Sequence, residues 1–319
     1  MRKNWKGAAA VFAAVAVAVA LVGCSTASTP SLSSRAADKG PIVVGSKIDT
    51  EGKLLSAIIL AKLEDAGFKV TDKSGTGTTD VVRKALLNKE IDIYPEYTGS
   101  GLIFFPNQDP AVYKVAEDGY KAVQSNDASN GILWLEPARA NNTWALAVKK
   151  DFATANNLKT MSDLAAYVQA GKPIKVAASD EFFNNPDAWP AFAASYGFDI
   201  PKDSRVVLSG GDTAQTEKAV ADGTDGVNIG MAYGTDGALN ELGLIVLTDD
   251  KGAQLVYWPT PTIRKEIADK FPEIAIELKP VFQALTLEKL QELNARIQVN
   301  GESAQAVAQD FLKSGGFIN

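Results

Sequence analysis

The sequence contains no histidine in its 319 residues. Histidine is the commonest side-chain general base and the commonest metal ligand, so its absence excludes Ser-His-Asp triads and histidine-based zinc sites. Cysteine occurs once, as Cys24, and therefore no internal disulfide can form. Positive charge is in the minority, because 32 Lys and Arg face 38 Asp and Glu for a formal net charge of −6. This balance argues against nucleic acid as the main partner, since phosphate binding needs basic surface.

The first 40 residues have the pattern of an export signal and a tether. Three basic residues precede the uncharged Ala- and Val-rich run at 7–22, which is short for a membrane span. The run ends in Leu-Val-Gly-Cys, which resembles the bacterial lipobox, whose cysteine is acylated. We therefore predict a signal peptide over 1–23, lipidation at Cys24 and a flexible tether over 24–40. The alternative is a membrane-anchor helix with an incidental cysteine.

The remaining chain alternates strand and helix patterns. It is 46% hydrophobic and 22% charged overall, which is typical of globular proteins, and it is long enough for two lobes. An apolar strand at 41–45 precedes a helical pattern that Gly67 closes, and a second strand begins at 69. Another unit of this kind opens at 174–178, and the tail at 266–317 reads as helical. This order predicts an α/β protein with mainly parallel sheets.

Residues 91–101 are the first candidate for ligand contact. We expect a short strand at 91–93 that Pro95 ends, because proline cannot donate to a β-ladder. Tyr97 then stands on a loop of small residues where a ligand can approach the backbone closely. The alternative is a strand end whose tyrosine packs locally. A second small-residue loop at 74–79 is either an anion cradle or a plain strand-to-helix turn, and no Walker lysine follows it.

Four aromatic residues share a setting at or just after predicted strand ends, beside small or polar residues: Tyr97, Trp144, Tyr233 and Tyr257. In open α/β sheets, ligands bind outside the carboxyl ends of the strands. Rings that converge there can hold a quaternary ammonium by cation–π attraction. The spacing alone leaves open whether they converge or fill separate parts of the core.

Residues 41–319 resemble the substrate-binding proteins of ABC transporters for glycine betaine, choline and related osmoprotectants, of the OpuAC type. The matching segments, in order, are Gly-Ser-Lys at 45–47, Ile-Asp-Ile-Tyr-Pro-Glu-Tyr-Thr-Gly at 91–99, Asn-Asn-Thr-Trp-Ala-Leu-Ala-Val at 141–148, Ala-Tyr-Gly-Thr-Asp-Gly at 232–237 and Asp-Asp-Lys at 249–251. The Asn-Asn-Thr-Trp motif ends in tryptophan, and in this the sequence resembles the family branch associated with osmotic stress.

The resemblance implies a ligand site without a metal or cofactor. The four rings would form the walls of a cage, Lys47 and Ser100 would help to hold the polar end of the ligand, and Asn142 would line the same wall. Many relatives carry Arg-Pro-Asp-Gly, whose arginine clamps the betaine carboxylate. Here the segment reads Asn-Pro-Asp-Ala at 185–188, so Asn185 takes the place of the arginine. Arg139 is a candidate substitute, and the alternative is a ligand that lacks a carboxylate.

The resemblance also implies a type II periplasmic-binding-protein fold. Lobe I would comprise 41–143 and 248–319, lobe II would comprise 144–247, and two strands near Trp144 and Leu244 would form the hinge. The expected protein is a lipid-anchored, extracytoplasmic monomer that delivers a compatible solute to an ABC permease. The rivals are a receptor for another osmolyte, a ligand-free envelope scaffold, and a hydrolase that uses a carboxylate pair. The candidate carboxylates are Asp92, Glu96, Asp180 and Glu181.

Overall fold

The computed structural model describes residues 39–208 and 213–319, which form two five-stranded sheets with accompanying helices. The strands are β1 (Ile42–Lys47), β2 (Val70–Gly77), β3 (Ile93–Tyr97), β4 (Ile132–Trp134), β5 (Trp144–Lys149), β6 (Val176–Ala178), β7 (Arg205–Val207), β8 (Ile229–Tyr233), β9 (Leu244–Val246) and β10 (Pro259–Arg264). The first sheet has the order β2-β1-β3-β10-β4, and the second has the order β7-β6-β8-β5-β9.

The α-helices of the described residues are mostly short, apart from those that pack on the first sheet. They are α1 (Thr50–Asp65), α2 (Thr79–Leu87), α3 (Gly101–Phe104), α4 (Pro110–Tyr113), α5 (Ala116–Asp127), α6 (Lys150–Asn156), α7 (Met161–Gln169), α8 (Asp180–Asn184), α9 (Trp189–Tyr196), α10 (Thr213–Asp222), α11 (Ala238–Glu241), α12 (Lys265–Lys270), α13 (Glu273–Ala284), α14 (Leu287–Gln298) and α15 (Ala304–Ser314). The predicted helical tail is therefore four helices, and it ends before Gly315 and Gly316 as expected.

Each sheet is mixed, so the prediction of mainly parallel sheets is wrong in detail. In the first sheet β1 pairs in parallel with β2 and β3, whereas β10 pairs antiparallel with β3 and β4. The second sheet repeats this arrangement, with β6 parallel to its two neighbours and β5 antiparallel to β8 and β9. The chain leaves the first sheet after β4 and returns as β10 in its interior. Two crossing segments, 135–143 and 247–258, therefore connect the two halves.

Pro95 does not end its strand as predicted, because β3 continues through it to Tyr97. Pro95 lies opposite Pro261 in the antiparallel pair, and β1 pairs with β3 only at Ile93. No ladder bond is therefore required from the nitrogen of Pro95. In β10 the carbonyls of Pro259 and Pro261 accept from the N–H groups of Ala138 and Leu135 at 2.8 and 2.9 Å. Both prolines thus face away from β3, which explains how an interior strand tolerates them.

Three further local predictions need correction. The small-residue stretch predicted as a loop at 74–79 is mostly strand, because β2 runs on to Gly77. Gly77 permits this turn, since a Cβ there would lie 2.6 Å from the side chain of Val81. The helix predicted over 112–124 is divided into α4 and α5, because the β-branched Val115 between them is extended. Strands β4 and β10 were not predicted from the sequence.

The two sheets have separate hydrophobic cores. Helix α1 lies at the centre of the first core and is apolar over most of its circumference, with Leu54, Ile58 and Leu63 fully buried. The second core is more aromatic and is built around Phe182, Trp189 and Phe192, among others. Each half therefore buries its own apolar surface and does not depend on the other half for its core.

The predicted signal peptide, Cys24 and nearly all of the predicted tether lie outside the described residues. Within 39–208 and 213–319, no helix is both long and apolar enough to cross a membrane.

A buried ion pair joins three elements of the first half and offers a stability test. Arg83 donates to Asp127 through both terminal nitrogens, and the indole N–H of Trp134 donates to the same carboxylate at 2.8 Å. We expect Asp127→Ala to lower the free energy of unfolding by about 3–5 kcal/mol, because it leaves a buried guanidinium without its charge partner. Urea denaturation measures this loss. The matched control is Asp269→Ala, which breaks an exposed pair with Lys265 and should cost roughly 0.5 kcal/mol or less. Equal losses in both variants would contradict the prediction.

Candidate functional site

A cavity of about 590 Å³ lies between the two halves of the protein, within the size range of small-molecule sites. Seven of the eight residues predicted to bind ligand line it: Lys47, Tyr97, Ser100, Asn142, Trp144, Tyr233 and Tyr257. All four candidate cage rings are among them, two from each side. The sequence alone left open whether these rings converge, and the fold brings them to one cavity.

Trp144 and Tyr233 form the wall on the side of the second sheet. They are directly opposite each other in the antiparallel pair of β5 and β8, so their side chains project from the same face. Their ring centroids are 6.3 Å apart with an interplanar angle of 23°, and the indole N–H donates to the tyrosine hydroxyl at 3.0 Å. Phe182 supports Trp144 edge-on from the second core. Burial raises the pKa of Tyr233 to about 12, so this phenol is neutral at physiological pH.

Tyr97 and Tyr257 form the opposite wall. Tyr97 ends β3, and Tyr257 lies two residues before β10, the strand paired with β3. Gly99 allows the ring of Tyr257 to lie against the backbone, because a Cβ at this position would be 2.5 Å from that ring. The Thr98 hydroxyl accepts from the N–H of Trp258 at 3.0 Å and thereby holds the segment in place. The small residues after Tyr97 therefore accommodate an aromatic neighbour of the cavity.

The polar residues beside Tyr97 are organised by a fully buried carboxylate, that of Glu96. The ammonium of Lys47 lies 2.6 Å from it and 4.7 Å from the centroid of the Tyr97 ring. The Ser100 hydroxyl donates to it at 2.9 Å, and the Tyr94 hydroxyl donates to its other oxygen at 3.0 Å. One face of Tyr97 therefore already contacts a cation of the protein. The charge of Lys47 is balanced by Glu96, which leaves it as a neutralised donor at the edge of the cavity.

The two crossing segments are joined by direct hydrogen bonds beside the cavity. The Asn141 side chain accepts from the N–H of Tyr257 at 2.8 Å, and the N–H of Asn142 donates to the carbonyl of Tyr257 at 3.1 Å. The Thr143 hydroxyl donates to the carbonyl of Leu255 at 2.8 Å. These bonds explain the polar residues that precede Trp144, because they hold the Asn-Asn-Thr sequence against the returning segment.

Glu51 is a central polar residue of the cavity and was not among the predicted site residues. Its carboxylate accepts from the Tyr97 hydroxyl at 2.9 Å, from Asn142 at 3.2 Å and from Asn294 of α14 at 2.7 Å. Asn294 also donates to the carbonyl of Thr235, which follows β8, at 2.9 Å. Glu51 is thus connected to a cage ring, to a crossing segment and to the loop after β8 of the second sheet.

Burial raises the pKa of the Glu51 carboxyl to about 7, against hydrogen bonds that lower it. No sequence pattern indicated this role. Glu51 follows the N-cap residue Asp49, and an acidic residue in the first turn of a helix is ordinary, since it complements the helix dipole. Only the packing of α14 and the loop after β8 over this turn removes the carboxylate from water.

The remaining candidate positions lie away from the cavity lining. Asn185 follows α8, and its side chain accepts from the N–H of Asp187 at 3.0 Å in a local turn. Arg139 is 63% exposed and pairs with Glu117 at 3.2 Å. Neither side chain lines the cavity, so in this structure neither supplies a clamp for a carboxylate there.

The carboxylates that were considered for hydrolysis are not arranged as a pair. Asp92 is buried against Arg264, whereas Glu96 is held by Lys47. Asp180 and Glu181 are exposed in the first turn of α8. The two buried candidates, Asp92 and Glu96, therefore each have a cationic partner, and the alternative of a hydrolase is not favoured.

Residues 40–314 match the OpuAC family model, described as the substrate binding domain of ABC-type glycine betaine transport systems. The chain belongs to this family. It is 49% identical over 278 residues to the glycine betaine-binding protein YehZ of Escherichia coli, covering 87% of this chain and 91% of the relative. It is also 33% identical over 276 residues to a glycine-betaine-binding protein of Pseudomonas aeruginosa, covering 85% and 86% of the two chains.

Solved structures confirm the predicted fold class. The structure of apo YehZ from E. coli matches with a TM-score of 0.79 at 48% identity, covering 87% of this chain and 99% of that one. A structure described as a glycine betaine/carnitine/choline ABC transporter matches with a TM-score of 0.77 at 22% identity, covering 87% and 100%, and shows the fold alone. The protein thus has the type II periplasmic-binding-protein architecture of two α/β lobes with a cleft between them.

The contact between Gly99 and Tyr257 gives a test of the first wall. We expect Gly99→Ala to lower the free energy of unfolding by about 1–3 kcal/mol, because the new methyl group overlaps the tyrosine ring. In a Tyr257→Ala background the same substitution should cost far less, since the overlapping ring is gone. Urea denaturation of the two single variants and the double variant measures this coupling. Additive losses would show that Gly99 acts through something other than Tyr257.

Proposed function

We propose that this protein is an extracytoplasmic receptor that captures a quaternary-ammonium compatible solute, such as glycine betaine or choline, and delivers it to an ABC permease. The observation that carries the proposal is the convergence of two rings from each lobe on one cavity: Tyr97 and Tyr257 from one side, Trp144 and Tyr233 from the other. The family membership and the names of the relatives agree with this function.

The energetics of such a cage favour a permanently charged, poorly hydrated cation. Each ring contributes about 0.5–2 kcal/mol by cation–π attraction when water is excluded. Burial of N-methyl groups adds hydrophobic free energy that a primary ammonium lacks. Since Tyr97 already contacts Lys47, we expect the other three rings to contribute most of the contact with the solute.

The polar end of the solute would meet Lys47, Ser100 and Asn142 at the cavity lining. Lys47 and Ser100 are engaged with Glu96, so they offer hydrogen bonds but little net charge. A second candidate is therefore a receptor with weak affinity for betaine whose solute lacks a carboxylate. The observation that favours it is the position of Asn185, which replaces the family's arginine and does not line the cavity.

We further propose lobe boundaries at 41–143 with 248–319 and at 144–247. The hinge would be the two crossing segments rather than the expected strands near Trp144 and Leu244, because β5 and β9 pair with each other inside the second sheet. A solute that contacts rings of both lobes would stabilise their closure, which the permease would recognise. Lipidation at Cys24 would tether this monomeric receptor to the envelope and keep it close to the permease. The lipobox-like sequence at 21–24 supports this anchor.

The proposal predicts that Tyr233→Ala lowers the affinity for a quaternary-ammonium solute about tenfold or more, because one wall ring is lost. Calorimetric titration of the purified protein with glycine betaine and then with choline measures the affinity, and tryptophan fluorescence reports contact at Trp144. The control is Tyr167→Ala, which removes a ring of the second lobe outside the cavity and should leave the affinity unchanged.

The outcomes separate the two candidates. Micromolar binding of glycine betaine, about −8 kcal/mol, would support a betaine receptor. Choline binding with little response to betaine would support a solute without a carboxylate. Absence of binding by both would leave the fold intact and overturn the quaternary-ammonium assignment.

A further inference from the structure

The cavity lining presents two hydrogen-bond acceptors that no other described residue satisfies. Asn142 and Asn294 each turn their amide NH₂ toward Glu51, at 3.2 and 2.7 Å. Their side-chain oxygens are buried and have no hydrogen-bond partner among the described residues. Asn294 is only 2% exposed. Buried polar atoms without partners are costly, and the partial negative charge of two such oxygens at one cavity favours a bound group that carries positive charge.

The Glu51 carboxylate lies between these two amides and is itself almost fully buried. Within residues 39–208 and 213–319 it makes no ion pair with Lys or Arg, in contrast to Glu96, which pairs with Lys47. Its stabilisation comes from neutral donors and from the first turn of α1. The Tyr97 hydroxyl donates to it at 2.9 Å, which increases the electron density of a ring that faces the cavity.

We propose that Glu51, together with the free amide oxygens of Asn142 and Asn294, is the counter-charge against which the rings hold the cationic end of the solute, so that solute binding is linked to loss of a proton from Glu51. This inference rests on the proposed function and assigns it a residue and a pH dependence. The positive charge of the solute favours the ionised carboxylate, and the released proton passes to the buffer.

Other ionisable groups near Glu51 are accounted for by their contacts. The titratable side chains that line the same cavity are Lys47, Asp49, Tyr97, Tyr233, Asp236 and Tyr257. Lys47 is paired with Glu96, Asp49 is exposed and accepts from the N–H of Gly52, and Asp236 accepts from the N–H of Tyr233. On α14 the charged residues nearest in sequence to Asn294 are Glu292, which pairs with Lys289, and Arg296, which is engaged with Glu302 and Asp310.

The sign of the effect follows from linkage. Burial raises the pKa of Glu51 in the free protein to about 7, and a bound cation lowers it. The affinity is therefore highest above pH 7 and falls as the pH drops below 7, by at most about tenfold per pH unit. At pH 7 about half of the free protein carries the proton, so binding releases roughly half a proton per solute.

The experiment is calorimetric titration of the purified protein with choline and with glycine betaine, neither of which titrates near neutral pH. Titrations at pH 7 in phosphate and in Tris, whose ionisation enthalpies differ, give the number of protons released. Affinities between pH 6 and 8 give the pH dependence. We expect about half a proton at pH 7 in the wild-type protein. In Glu51→Gln we expect no proton release, affinity about tenfold or more below that of wild type at pH 8, and a flat pH profile.

The matched control is Glu64→Gln, the same substitution at an exposed position of the same helix, which should behave as wild type. Equal binding enthalpies in the two buffers, or wild-type affinity in Glu51→Gln at pH 8, would overturn the role of Glu51 and leave the proposed function in place. A Glu51→Gln variant that is less stable yet still releases a proton on binding would reduce Glu51 to a structural role. Absence of binding of both solutes to the wild-type protein would overturn the proposed function as well.

Discussion

The hydrogen bonds between the two crossing segments are the constraint on which the site depends. Asn141, Asn142 and Thr143 lie on the outgoing segment, and they bind the backbone of Leu255 and Tyr257 on the returning one. Trp144 follows the first group directly, and Tyr257 belongs to the second. One ring of each wall is therefore positioned by the same set of bonds. With the proposed hinge in these segments, the lobes would rotate while the rings nearest the axis keep their relative position.

The interior position of β10 extends this constraint to the other wall residue of the first lobe. Because the returning chain enters the first sheet next to β3, Tyr257 approaches the end of β3, where Tyr97 lies. The sheet tolerates two prolines in this strand because their backbone nitrogens, which carry no hydrogen, face away from β3. Gly99 then removes the side chain that would separate the ring of Tyr257 from the backbone.

Two carboxylates bonded to Tyr97, those of Glu96 and Glu51, have different charge partners. Glu96 has an ammonium at 2.6 Å and is fully buried, so the charge of the pair is compensated within the protein. Glu51 has only neutral donors among the described residues, so its charge, when it is ionised, has no cationic side chain of the protein beside it. Aromatic faces and a diffuse negative field suit a cation whose own hydrogen bonding is weak, because such an ion loses little on leaving water.

The α/β class, most strand and helix positions and all four rings followed from the sequence, since periodicity and strand-end aromatics are local patterns. The chain order of the motifs also indicated the family to which the chain belongs.

Strands β4 and β10 did not follow from the sequence, because the first is three residues long and the second owes its stability to neighbours distant in sequence. Local sequence patterns likewise could not predict that Asn185 lies away from the cavity or that Glu51 is buried. A side chain's exposure and charge partners depend on which elements pack over it, and for Glu51 these come from residues 97, 142, 235 and 294. The sequence determined which groups were available, and only the tertiary structure decided which of them share one cavity.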